Sequence, residues 1–302
     1  MFDLLTATAA PPRLGRILVP VEFSGRCERA AWYAQALAHH FHSEVVLLHA
    51  VSPPSLPYGS SEGMVYAGLD HFAERLVAER TAMLQSFLTP ELEGIPVRRV
   101  IEEGDAAQAI VRRAAEEQCD LILMPTHGYG SLRRILVGSI TAGVLRHSPC
   151  PVLTGPHLEH APPPDTIRFR KILCALDLAG ESEAVLAWAA GFAQEFGAAL
   201  RIVHVIPEST WRAGGLYFDP DWQIHVAKEA RNAIAALEER LHTSGNVDIE
   251  IGEVPEAVTA AAGEWKPDLL VIGRGAKQGM LGRLRAKAYA ILRQSTCPVV
   301  AI

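Results

Sequence analysis

Ile17-Leu18-Val19-Pro20-Val21-Glu22 is an apolar run that ends in an acid, and Ile172-Leu173-Cys174-Ala175-Leu176-Asp177 repeats it. Both runs are too short for a helix and are followed by residues with helical periodicity, so each reads as a buried strand. The echo continues to the far end of each copy, which closes on Cys150-Pro151-Val152 and again on Cys297-Pro298-Val299. Solenoid repeats are only ~20–50 residues long, so a repeat of this length is a duplicated domain. The 302 residues then divide into two domains, each long enough to bury a core of its own.

Within the first copy, apolar runs alternate with helical patterns. Strands are predicted at 16–21, 44–50, 96–101, 121–124 and 151–154, with helices at 26–41, 64–88, 106–118 and 139–147. The second copy places strands near 171–176, 199–205, 247–251, 268–272 and 298–301. Continuous apolar strands alternating with helices specify a parallel sheet covered on both faces. The expected fold is therefore α/β, with two tandem doubly wound five-stranded parallel-sheet domains arranged as a pseudo-two-fold pair. The domains are expected at 14–155 and 168–302. Residues 156–167, with Pro156 and Ala161-Pro162-Pro163-Pro164, are expected to be a proline-rich spacer outside either core. The short apolar closing strands are expected to pair antiparallel with each other, because an uncovered edge invites pairing.

Composition narrows the function. A net charge of −6 gives no electrostatic footprint for nucleic acid or an anionic membrane. No apolar run reaches the ~20 residues of a membrane span. The five cysteines form no Cys-x-x-Cys pair, and their apolar surroundings suit reduced thiols in a cytoplasmic protein. Glu102-Glu103 with Asp105 reads equally as a carboxylate pair or as a turn with a capped helix start. Arg133-Arg134 reads as a solvated face. Trp211, Tyr217 and Trp222 read as loop packing.

The chemistry is expected in the first copy, where Pro125-Thr126-His127-Gly128 leaves a strand and Gly138-Ser139-Ile140 opens a helix. Glycines permit close backbone approach and positive φ. A helix start adds N–H donors and a favourable dipole for anions. Ser139 suits the N-cap. In doubly wound sheets a ligand sits beyond the strand C-termini, where strand order reverses. Glu22 and the 125–139 loop belong to that end.

The first strand with Phe23-Ser24, the Leu48-His49-Ala50 strand end, His127-Gly128-x9-Gly138-Ser139 and the Cys-Pro-Val strand together resemble the universal stress protein family. The likeness runs once through each copy. It implies an adenine nucleotide alpha hydrolase-like fold and binding of ATP, ADP or AMP, with magnesium as an accompanying ion. It implies that Glu22, and Asp177 in the second copy, meet the adenine side, and that Ala50 and Val205 line the adenine pocket. Thr126, His127, Gly128, Gly138 and Ser139 then hold ribose and phosphates, flanked by Met124 and Ile140. Pro125 departs from the family's first loop glycine. The second copy departs further: Gly273-Arg274-Gly275-Ala276 has alanine at the second glycine position, and Arg285-Ala286 replaces Gly-Ser. That half is expected to bind nucleotide poorly and to dock against the first. The resemblance implies a nucleotide-binding stress-response protein with slow or no hydrolysis, paired within the chain or as a homodimer. A slow nucleotide hydrolase or transferase, and a dimeric interaction module without nucleotide, are the alternatives.

Overall fold

The computed structural model describes residues 11–52, 63–126, 137–208, 220–275 and 283–302. His127, Gly128, Arg133, Arg134, Trp211, Tyr217 and Ala276 lie outside them. So do the side chains of Arg285 and Ala286.

The described residues of the first half run β1 (Arg16–Pro20), α1 (Gly25–Phe41), β2 (Glu44–Val51), α2 (Gly63–Ser86), β3 (Val97–Glu103), α3 (Ala106–Glu116), β4 (Leu121–Leu123), α4 (Ser139–His147) and β5 (Val152–Thr154). The second half repeats the order: β6 (Lys171–Leu176), α5 (Ser182–Phe196), β7 (Ala199–Ile206), α6 (Pro220–Leu241), β8 (Asn246–Ile251), α7 (Val254–Trp265), β9 (Leu269–Ile272), α8 (Arg283–Gln294) and β10 (Val299–Ala301). No helix among the described residues is long and apolar enough to cross a membrane.

All strands join one sheet in the order β3-β2-β1-β4-β5-β10-β9-β6-β7-β8. Each half is parallel throughout. The junction is the single antiparallel pair, with Val299 opposite Thr154, Val300 opposite Leu153 and Ala301 opposite Val152. Strand order reverses between β1 and β4, and again between β6 and β9, which opens a crevice at each place.

The strands are apolar on both faces because both faces are covered. Along β1, Ile17 and Val19 enter one core while Leu18 enters the other. Each core draws on both halves. One contains Leu47 with Cys174 and Phe192, and the other contains Val46 with Leu270. All five cysteines are free and buried, and burial raises their pKa values, so they serve as small apolar side chains.

The expected spacer is a correction. Residues Pro156–His160 and Pro164–Thr166 form short 3₁₀ turns, and Leu158, Ala161 and Ile167 are buried in a core. Arg26 of α1 pairs with Glu159 at 3.4 Å, and a His157 Nε2 hydrogen bond reaches Ser295 O at 3.0 Å. The prolines stiffen the segment, and its three apolar side chains seat it on α1.

Candidate functional site

The crevice of the first half begins at the residue after β1. Glu22 N donates to Cys27 Sγ at 3.3 Å, and Ser24 Oγ donates to Glu22 Oε1 at 3.0 Å. Between them Phe23 takes φ +63°, a left-handed conformation that side chains other than glycine seldom adopt. Aromatic packing holds it there: its ring lies 4.4 Å from His49 and 5.2 Å from Phe87. The second half repeats the device, with Leu178 at φ +55° after Asp177.

His49 fixes the neighbouring strand end. Its Nδ1 lies 2.7 Å from Val21 O. A carbonyl only accepts, so Nδ1 carries the proton. Burial pushes the His49 pKa down and keeps the ring neutral.

A cavity of about 120 Å³ opens here, lined by Glu22, Ala50, Met124 and Ile140 together with Cys27, His49, Ile110, Pro125 and Thr141. Four expected site residues therefore share one wall set. Thr126 is buried behind it at 1% exposure. Its carbonyl accepts from Gly138 N at 2.9 Å and, with Pro125 O, from Thr141 Oγ1 at 3.2 Å. These bonds close the loop onto the first turn of α4. Proline at 125 is compatible with them, because its carbonyl does the bonding and no N–H is needed.

Two expectations about this turn are corrected. Gly138, not Ser139, is the N-cap, and Ser139 is the first helical residue with an exposed side chain. The bond from Gly138 N to Thr126 O sets the boundary one residue earlier than the capping preference of serine suggests. Gly138 also has φ −57°, so it needs no left-handed freedom. As the N-cap it has no side chain to bond the first-turn N–H groups of α4.

Sequence reasoning missed Cys27, His49, Ile110 and Thr141 as wall residues. Only the pairing His49 over Val21, repeated as His204 over Leu176 at 2.8 Å, carried a signal. Glu102 and Asp105 are structural. Glu102 pairs with Arg112 and Arg113, and Asp105 caps α3 by accepting from Gln108 N at 2.9 Å. No cluster of three or more potential metal ligands occurs among the described residues.

The second half keeps a crevice of about 200 Å³, lined by Asp177, His204, Val205 and Ile272 among others. Here Asp177 Oδ1 accepts from Ser182 Oγ and Ala179 N, both at 2.9 Å, so the acid is engaged in its own turn. Arg285-Ala286 lies inside α8 (Arg283–Gln294).

Comparison with known proteins agrees with this geometry. The Universal stress protein family matches residues 14–154 and again 168–302. A universal stress protein of Methanocaldococcus jannaschii is 30% identical over 149 residues, which is 46% of this chain and 92% of that protein. Universal stress protein A homolog 1 of Coxiella burnetii is 32% identical over 146 residues, 45% of this chain and 97% of its own. The crystal structure of a universal stress protein from Archaeoglobus fulgidus covers 96% of this chain and 98% of its own. Its TM-score is 0.62 at 22% identity, a likeness of fold. The chain belongs to the universal stress protein family, whose domain it carries twice.

Proposed function

We propose that the first half binds an adenine nucleotide, with ATP the preferred ligand, and that occupancy rather than turnover is the output. The carrying observation is the cavity shared by Glu22, Ala50, Met124 and Ile140 beside the start of α4, whose N-cap is Gly138. Apolar walls suit a purine ring, and Glu22 at the end of β1 suits its hydrogen-bonding edge. The α4 start, with Gly138 and Ser139, suits phosphates, and Thr126, His127 and Gly128 complete the loop side. The two domains are taken as 14–155 and 168–302, with the second half the weaker nucleotide binder. The sequence supports that asymmetry: Arg285-Ala286 stands where the first half has Gly138-Ser139, and Ala276 where it has Gly128.

Slow turnover follows from what the described pocket offers. Fast phosphoryl transfer needs bridging metal, a positioned nucleophile and a cation at the developing charge. The walls supply apolar contacts, one acid, and a His49 ring whose Nδ1 is held on Val21 O. His127 is the base that the sequence offers on the loop.

Calorimetric titration of the full chain with ATP tests the reading. Gly138→Val is compatible with φ −57° and places a branched side chain at the phosphate position. It should lower affinity at least tenfold. Glu22→Ala should weaken ATP by about 1–3 kcal/mol and blur the preference over GTP. Equal ATP affinity in wild type and Gly138→Val would reject the site. Magnesium-dependent turnover at or above ~1 s⁻¹, lost in His127→Ala, would replace binding by hydrolysis.

A further inference from the structure

A third cavity, of about 370 Å³, lies between the halves; it adjoins the second-half crevice, sharing Glu181, Gly275 and Ala288 with it, and shares no wall residue with the first-half crevice. Its walls come from the end of α4, with Arg146 and Ser148, and from the second half, with Glu181, Arg274, Tyr289 and Leu292. Hydrogen bonds across the junction build it. Arg274 Nη1 donates to Ser148 O at 2.9 Å, and Tyr289 Oη donates to Ala142 O at 3.0 Å. The Arg274 backbone N–H is fixed on Ile302 O at 3.0 Å.

The charges in this chamber are not matched to each other. Arg274 is partly buried, and burial pushes its pKa down. A guanidinium has five N–H donors, yet its one side-chain acceptor among the described residues is Ser148 O. It feels the charge of Glu181, and no ion pair within 4 Å joins them. Glu181 Oε2 is itself buried and has no hydrogen-bond partner among the described residues. A buried charge ordinarily has a partner, because desolvation costs several kcal/mol otherwise. An arginine short of acceptors and a carboxylate short of a donor thus line one chamber. Arg146 stands exposed at its rim, so two arginines outweigh one glutamate and favour an anion of more than one charge. The volume suits a small organic molecule.

We propose that this chamber is a second ligand site, for a small hydroxylated phosphate monoester whose phosphate is held by Arg274 and whose hydroxyl donates to Glu181. The guanidinium fork matches phosphate oxygens in pairs. The site requires both halves, since Ser148 orients the arginine that the second half supplies.

The test is calorimetric titration of the full chain with ribose 5-phosphate, and with inorganic phosphate in parallel. Ribose 5-phosphate should bind saturably and more tightly than phosphate. Arg274→Met should weaken both about tenfold or more, and Arg274→Lys should restore part of the loss. Glu181→Met should erase the preference for the sugar phosphate. Arg146→Ala, at an exposed position, should weaken binding and flatten its salt dependence. Gly138→Val should leave ribose 5-phosphate binding unchanged, which separates this site from the nucleotide crevice. Absence of saturable binding overturns the proposal. So does undiminished affinity in both Arg146→Ala and Arg274→Met, or loss of binding in Gly138→Val.

Discussion

His49 and His204 are the same device used twice. Each donates Nδ1–H to the carbonyl just before the acid, on Val21 and Leu176. Burial lowers both pKa values from the ordinary 6.5. The unfolded chain therefore takes up protons at higher pH than the folded one. The histidines contribute stability that is fully present above about pH 6.5 and is lost as pH falls through their depressed folded values. Urea melts should show a lower midpoint at pH 5 than at pH 7, and His49→Asn with His204→Asn should shrink that difference. An unchanged difference would assign the acid sensitivity to other groups. The left-handed Phe23 and Leu178 are the other paired residues. They place the acid and the following helix at fixed angles, at a backbone cost of about 1–2 kcal/mol each.

Among the elements, α4 places the most candidate-site residues for its length. Thr141, at 3% exposure, ties its first turn to Pro125 O and Thr126 O. Thr141→Val keeps the shape and removes both bonds. It should cost about 1–3 kcal/mol in thermal or chemical denaturation and weaken ATP binding by loosening the loop. Wild-type stability in this variant would mean that the loop is held elsewhere. The strands were legible because they are apolar on both faces and alternate with helical periodicity. Glu22, Ala50, Met124 and Ile140 were legible as wall residues through resemblance to a family. Thr141, Cys27 and Ile110 were not, because a half-polar helical face gives no sign of which strand end it will meet. The cap moved by one residue because a tertiary bond outweighed a local preference. The linker was misread because three apolar residues among prolines look like composition until α1 supplies a surface for them.

At the scale of the molecule, the β5–β10 pair and an aromatic cluster join the halves. Val152 and Val300 are 0% and 1% exposed. Phe169 lies 5.1 Å from Phe192 and 5.0 Å from Phe196, and His40 stacks on Phe196 at 4.2 Å. Val300→Asp would bury a carboxylate in the junction, and a cost of several kcal/mol is expected. A thermal midpoint within a degree or two of wild type would show that the junction bears little of the stability. The junction has one more effect, on how the chain varies. In a dimer of identical subunits every substitution appears on both sides of the axis, so neither subunit is free to change alone. Here the antiparallel strands meet within one polypeptide, and a change falls on one side only. Arg285-Ala286 corresponds to Gly138-Ser139, and Ser182 to Cys27, so the two halves differ at matching positions. Covalent linkage has turned a two-fold axis from a constraint into a scaffold on which two unlike sites are held at a fixed one-to-one ratio, independent of protein concentration.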